Sequence, residues 1–116
     1  MSESIVVRNV ADFPEVASKA LETGKKVVVY CYGDWKEGTK DSWCPDCVAV
    51  DPIIREKVKN VDGILIEVAV GDRDSYKGVP DNQWRTFDVT KIKSIPTIIY
   101  LGKDGEKGRY VSESID

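Results

Sequence analysis

Two runs of apolar residues, VVVYCY at 27–32 and GILIEVAV at 63–70, constrain this chain more than any other feature. Both are β-branched, aromatic or aliphatic along nearly their whole length, as buried strands are, with Glu67 the one charged exception. Around them the hydrophobic period becomes helical. Phe13, Val16, Ala17, Ala20 and Leu21 recur at helical spacing between Asp12, a candidate N-cap with Pro14 tolerable in the first turn, and Gly24, a candidate stop. A second helical pattern opens after the polar loop GDWKEGTKDS at 33–42 and runs to about Asn60, with Val48, Ile53, Ile54 and Val58 apolar and Pro52 placed to kink it. Residues 5–7 suit a first strand and 81–87 a short third helix. The run TIIYL at 97–101 is a strand joined by the turn Lys103-Asp104-Gly105 to a last one at 109–111. The order β-α-β-α-β-α-β-β predicts an α/β sandwich whose mixed sheet is parallel early and closed by an antiparallel hairpin.

A chain of 116 residues without repeats, linkers or low-complexity tracts is expected to form a single domain, 1–116. Its 41% hydrophobic content and 9 glycines are those of a soluble globular protein and exclude disorder. With 17 basic residues against 20 acidic, a net charge of -3 gives no footprint for nucleic acid or an anionic membrane. The N-terminus MSESIVVRNVADF has no basic or apolar leader region, and no long apolar run occurs, so a cytoplasmic protein of a reducing compartment is expected. The absence of histidine removes Ser-His, Cys-His and His-metal arrangements together.

Few catalytic side chains remain, and they gather in Trp43-Cys44-Pro45-Asp46-Cys47. Two thiols separated by two residues at the first turn of a helix lie close enough to form a small disulfide ring. The free N–H groups and the helix dipole favour a thiolate on the first of them. Cys44 is therefore the expected exposed nucleophile. Cys47, one turn inside, is placed to attack the mixed disulfide that Cys44 forms, leaving Cys44–Cys47 oxidised. Pro45 rigidifies the turn, and the Asp46 carboxylate opposes ionisation of its neighbour. A bare CxxC is also half of a zinc site, but the other ligands are poorly supplied, with no histidine and only Cys31, inside a strand, in reserve. Ile95-Pro96 at the start of a strand suits a cis proline packed against the dithiol, where the neighbouring backbone is free to pair with an extended substrate chain.

The helix-opening WCPDC, the kinking Pro52 and Ile95-Pro96-Thr97 before an antiparallel hairpin together resemble the thioredoxin superfamily, over a stretch from about Ile5 to Val111. Within it, WCPDC, the lengthened loop at 33–42 and PDNQWR at 80–85 are similar to the subfamily of fourteen-kilodalton thioredoxin-related proteins, the thioredoxin domain-containing protein seventeen group. The resemblance implies a thioredoxin-like three-layer sandwich. It also implies a cytosolic disulfide reductase without a bound cofactor, recharged by thioredoxin reductase and NADPH, acting on small-molecule or particular protein disulfides, with some peroxidase activity. Cys44 becomes the attacking cysteine, Cys47 the resolving one and Pro96 the cis proline.

Two departures follow from the same resemblance. Tyr30 stands where thioredoxins carry a buried aspartate that assists proton transfer, which makes Asp46 the candidate acceptor. Only residues 112–116 follow Val111, too few for the superfamily's C-terminal helix, so the sheet face under the second helix is expected to stay partly uncovered and to self-associate weakly.

Trp43 is expected to contact substrate, with Pro45, Ile95 and Pro96, and Trp35 to shape a rim. Cys31 and Trp84 are expected in the core, while Arg55, Lys57 and Lys59 are expected on a solvated helix face. From another class comes a redox-sensing binding protein, in which the state of the Cys44–Cys47 pair switches partner docking.

Overall fold

A computed structural model describes residues 3–36, 39 and 42–111. Parts of the expected 33–42 loop (37, 38, 40 and 41) and the C-terminal 112–116 lie outside the described residues. The elements are β1 (Glu3–Val7), a 3-10 turn (Val10–Asp12), α1 (Phe13–Glu22), β2 (Lys26–Tyr32), α2 (Pro45–Val58), β3 (Gly63–Ala69), α3 (Arg73–Tyr76), α4 (Gln83–Thr86), β4 (Thr97–Gly102) and β5 (Gly105–Val111). The strands form one sheet in the order β1-β3-β2-β4-β5. β3 pairs in parallel with β1 and β2, while β4 runs antiparallel to both β2 and β5, as the strand pattern predicts.

The two apolar runs occupy the centre because only central strands are covered on both faces. Every residue of β3 is buried, and so is every residue of β2 after Lys26. Side chains alternate across a strand, so the register sorts them into two faces. Tyr30 lies beside Glu67 on one side and Ile98 on the other, and Ile98 beside Tyr110. Cys31 lies beside Val68 and Thr97, on the opposite face.

The face of Cys31 is closed by α1 and the segment around α4. Arg109, register partner of Ile99, donates from Nη1 to the carbonyl of Thr90 (2.7 Å). Trp84, fully buried as expected, and Phe87 meet Phe13 of α1 edge to face at 6.0 and 5.7 Å. Fully burying an aliphatic side chain contributes roughly 1.5–3 kcal/mol, so Val29, Ile66, Val68 and Ile99 beneath this layer supply much of the drive to fold.

The face of Tyr30 is covered by α2, and less completely. Tyr100 and Tyr110 remain 47% and 55% exposed, with Ile53 of α2 56% exposed.

Several boundaries differ from expectation for local reasons. Asp12 makes no side-chain cap, because the preceding 3-10 turn already holds it in helical conformation (φ -88°, ψ -16°). α1 ends at Glu22, and Gly24 just beyond its C-cap Thr23 has the positive φ of 76° that suits glycine there. α2 passes through Pro52 without interruption and ends two residues early, at Val58. The stretch after β3, where no helix is expected from the sequence, contains α3, capped by the Asp72 carboxylate on the amide of Ser75. β5 begins at Gly105 rather than 109, since a hairpin turn of two residues, Lys103 and Asp104, lets pairing start at once.

Candidate functional site

The site lies where the chain leaves β2 and enters α2. At Gly33 a Cβ would sit 2.6 Å from Cε2 of the Trp43 indole, so only glycine lets the ring lie against this backbone. The indole Nε1–H of Trp43 donates to the carbonyl of Gly71 (2.8 Å), and its ring packs against Tyr76 at 6.0 Å. Arg85 in turn lies 3.6 Å over the Tyr76 ring and donates to the Tyr76 carbonyl. Ser42 ties the entry together: its hydroxyl donates to the carbonyl of Gly33 (2.7 Å) and accepts from the amide of Cys44 (3.1 Å).

Cys44 is the N-cap of α2, with extended backbone angles and Pro45 at the first helical position. The amide of Cys47 donates to Cys44 Sγ (3.3 Å), so one of the unsatisfied donors of the helix start is aimed at sulfur. The Ile95–Pro96 bond is cis, and the Ile95 carbonyl lies 3.9 Å from Cys44 Sγ. The structure thus brings Trp43, Cys44, Pro45, Cys47, Ile95 and Pro96 to one place. Asp46 sits in the first turn of α2, half-buried.

One expectation needs correction. Cys44 is 1% exposed rather than an open nucleophile, with the Ile95 carbonyl 3.9 Å from its sulfur and the Ser42 hydroxyl on its amide. Cys47 is 0% exposed. All three cysteines are thiols here, and burial pushes Cys31 up to about 12, against a smaller opposing effect of Arg109. Cys31 faces the other side of the sheet from Tyr30 and α2 and cannot join the pair.

Beneath the dithiol lies a polar cluster that the sequence did not reveal as one. Tyr30, fully buried, donates its hydroxyl to Asp51 Oδ1 (2.8 Å). Arg55 donates from Nε to both oxygens of Asp51 (3.2 and 3.1 Å) and from Nη2 to Glu67 Oε1 (2.7 Å). Tyr32 donates to the same Glu67 oxygen (3.1 Å). Burial first, then the adjoining carboxylates, hold both phenols well above the ordinary tyrosine range. Arg55 is therefore no simple member of a solvated face. The available signal was the spacing of Cys47, Asp51 and Arg55, each four residues apart and hence on one side of α2.

Trp35 packs on Tyr32 at 5.4 Å and, with Thr39, Asp51 and Arg55, lines a shallow groove beside this cluster. Among the described residues no group of three or more Cys, Asp or Glu side chains is arranged to hold a metal ion, and no helix is long and apolar enough to cross a membrane.

Solved structures share this architecture. The reduced thioredoxin pre-protein of Schistosoma mansoni superposes with a TM-score of 0.63 at 21% identity, covering 97% of this chain and 88% of that one. Thioredoxin O1 of Arabidopsis thaliana gives 0.59 at 22% identity, covering 96% and 86%. At the sequence level, thioredoxin domain-containing protein 17 of Mus musculus is 40% identical over 81 residues, 68% of this chain but 63% of that protein, so the match spans under two thirds of this relative's length. The thioredoxin-like protein Clot of Arabidopsis thaliana is 34% identical over 97 residues, 82% of this chain and 72% of the relative. A family model described as thioredoxin domain-containing protein 17-like, thioredoxin domain, matches residues 6–114. A thioredoxin-like domain with a paired Cys44 and Cys47 is suited to redox chemistry of the disulfide-exchange type, and the chain belongs to the thioredoxin domain-containing protein 17-like family.

Proposed function

We propose that this chain is a dithiol–disulfide reductase that works as a single cytoplasmic domain without a bound cofactor. The observation that carries the reading is the placement of Cys44 as N-cap of α2 with the Cys47 amide on its sulfur, since a donor aimed at sulfur favours the thiolate that attacks. Cys44 attacks a substrate disulfide, one substrate sulfur leaves as thiolate, and Cys47 then displaces the other by closing the Cys44–Cys47 bond. Two electrons pass from the dithiol to the substrate. A hydroperoxide reduced by the same pair yields alcohol and water, which accounts for a peroxidase activity.

Trp43 and Pro45 flank Cys44 along the chain, and the Ile95 carbonyl beside the cis Pro96 lies 3.9 Å from its sulfur, so an extended substrate chain would run against this backbone. The occlusion of Cys44 favours selective reduction: small-molecule disulfides and protein disulfides that fit past Trp43 react, and broad ones do not. Asp46 restrains ionisation of Cys44 and exchanges protons at the rim.

Thioredoxin reductase with NADPH is the proposed electron source, and steady NADPH consumption with a disulfide substrate is the expected result. A single stoichiometric oxidation followed by no turnover would instead support a redox-sensing binding protein.

Weak self-association is proposed through the sheet face that carries Tyr100 and Tyr110, beside exposed Ile53. Sedimentation over a concentration series should show a mass average that rises with concentration and falls back when Tyr110 is replaced by lysine. A strict monomer at the highest concentration would dismiss this contact.

A further inference from the structure

The step in which Cys47 closes the ring requires its thiol to lose a proton, and Cys47 has no accessible surface (0%). Water does not meet it directly, so the proton leaves through a protein group. The titratable and charged groups in this corner come from three elements: Cys44, Asp46, Asp51 and, from its last turn, Arg55 of α2, Tyr30 and Tyr32 from β2, and Glu67 from β3. Glu67 is engaged by Arg55 and Tyr32 together. Asp46 stands at the outer end of the helix.

Tyr30 and Asp51 are placed differently. Tyr30 is fully buried on the sheet face that α2 covers and holds its hydroxyl on Asp51 Oδ1 at 2.8 Å. Asp51 follows Cys47 by one turn on the same side of α2, and its side chain is 18% exposed at the groove lined by Trp35 and Thr39. The pair joins the buried neighbourhood of Cys47 to solvent. Arg55, with Nε on both carboxylate oxygens, fixes Asp51 in that orientation.

Resting on the reductase reading above, we propose that Tyr30 and Asp51 are the route by which the Cys47 proton leaves during resolution, Tyr30 as conduit and Asp51 as acceptor. As Cys47 Sγ bonds to Cys44 Sγ, the bond from Cys44 to the substrate sulfur breaks and its electron pair departs with the substrate. The Cys47 proton moves to the Tyr30 hydroxyl while the phenolic proton moves to Asp51, so the phenol is neutral before and after. Asp51 then gives the proton to water in the groove, and the substrate thiolate takes one up at the rim near Asp46. Tyr30 cannot serve as a store, because burial and the Asp51 carboxylate strongly disfavour its phenolate.

Reaction of the whole reduced protein with 5,5′-dithiobis(2-nitrobenzoate) separates the steps. The first thionitrobenzoate released reports attack by Cys44, and the second reports resolution by Cys47. Tyr30→Phe, which keeps the ring, and Asp51→Asn, which keeps the shape, should leave the first phase unchanged. Both should slow the second by at least about tenfold at neutral pH, and its rate should then climb about tenfold per pH unit as hydroxide replaces the route. Asp51→Glu should recover much of the rate, and Asp46→Asn should not steepen the pH profile.

A second phase in both variants with the wild-type rate and profile would overturn the route. So would slowing by the same factor at every pH, which is the mark of a packing defect. Absence of any first phase in the wild type would defeat the reductase reading itself, a result that is distinct from either.

Discussion

A Cys47→Ser variant exposed to a disulfide substrate is expected to accumulate one covalent adduct per chain and to lose turnover to background, while Cys44→Ser accumulates none and is equally inactive. The asymmetry follows from the start of α2. Cys44 carries the helix-terminus donor on its sulfur, whereas Cys47 lies one turn inside with no accessible surface. Serine at 44 still caps the helix well, so loss of the adduct there reports lost chemistry rather than lost structure. Removing a nucleophile or its resolving partner abolishes a two-step exchange entirely, so the expected effect on turnover is among the largest that any substitution here can have. Cys31 does not confuse the count, since its thiol is held protonated up to about 12 behind the sheet. Intact-mass spectrometry gives the result, and equal adducts in both variants would remove the assignment of attacking and resolving roles.

The same two thiols show what a sequence discloses. The Cys44–Cys47 spacing and the strand before it are local, and local patterns locate both the dithiol and the sheet centre without any knowledge of tertiary contacts. The apolar runs of β2 and β3 become central strands because nothing else in the chain is apolar enough to be covered on both faces. Ile95-Pro96 is equally legible, since it is fixed by position at the head of β4.

What local pattern could not supply is whatever depends on partners far along the chain. Arg55 looks like a solvated helix cation until Glu67, 12 residues later on β3, pairs with it. Asp51 is one more polar residue on α2 until Tyr30, 21 residues earlier, points its hydroxyl at it. The carbonyl beside the Cys44 sulfur likewise belongs to Ile95, 51 positions away. The short α3 was missed for the same reason. Four residues make a helix only because Asp72 caps them and Tyr76 is buried under Arg85.

That cluster has a consequence for stability. Arg55→Met removes the only cation paired with Glu67 among the described residues and leaves that carboxylate, 6% exposed, with the Tyr32 hydroxyl alone. Breaking a buried ion pair from one side costs about 3–5 kcal/mol, and because the Arg55 side chain is 42% exposed the expected loss is nearer 2 kcal/mol. Glu67→Gln added to Arg55→Met should restore more than half of the loss, because an amide is far cheaper to bury than an unpaired charge. Urea midpoints for the wild type, Arg55→Met, Glu67→Gln and the double variant test the whole cycle. If Arg55→Met matched the wild type, Arg55 would be the solvated helix residue that its sequence neighbours suggest, and Tyr32 alone would suffice to hold Glu67 inside the sheet.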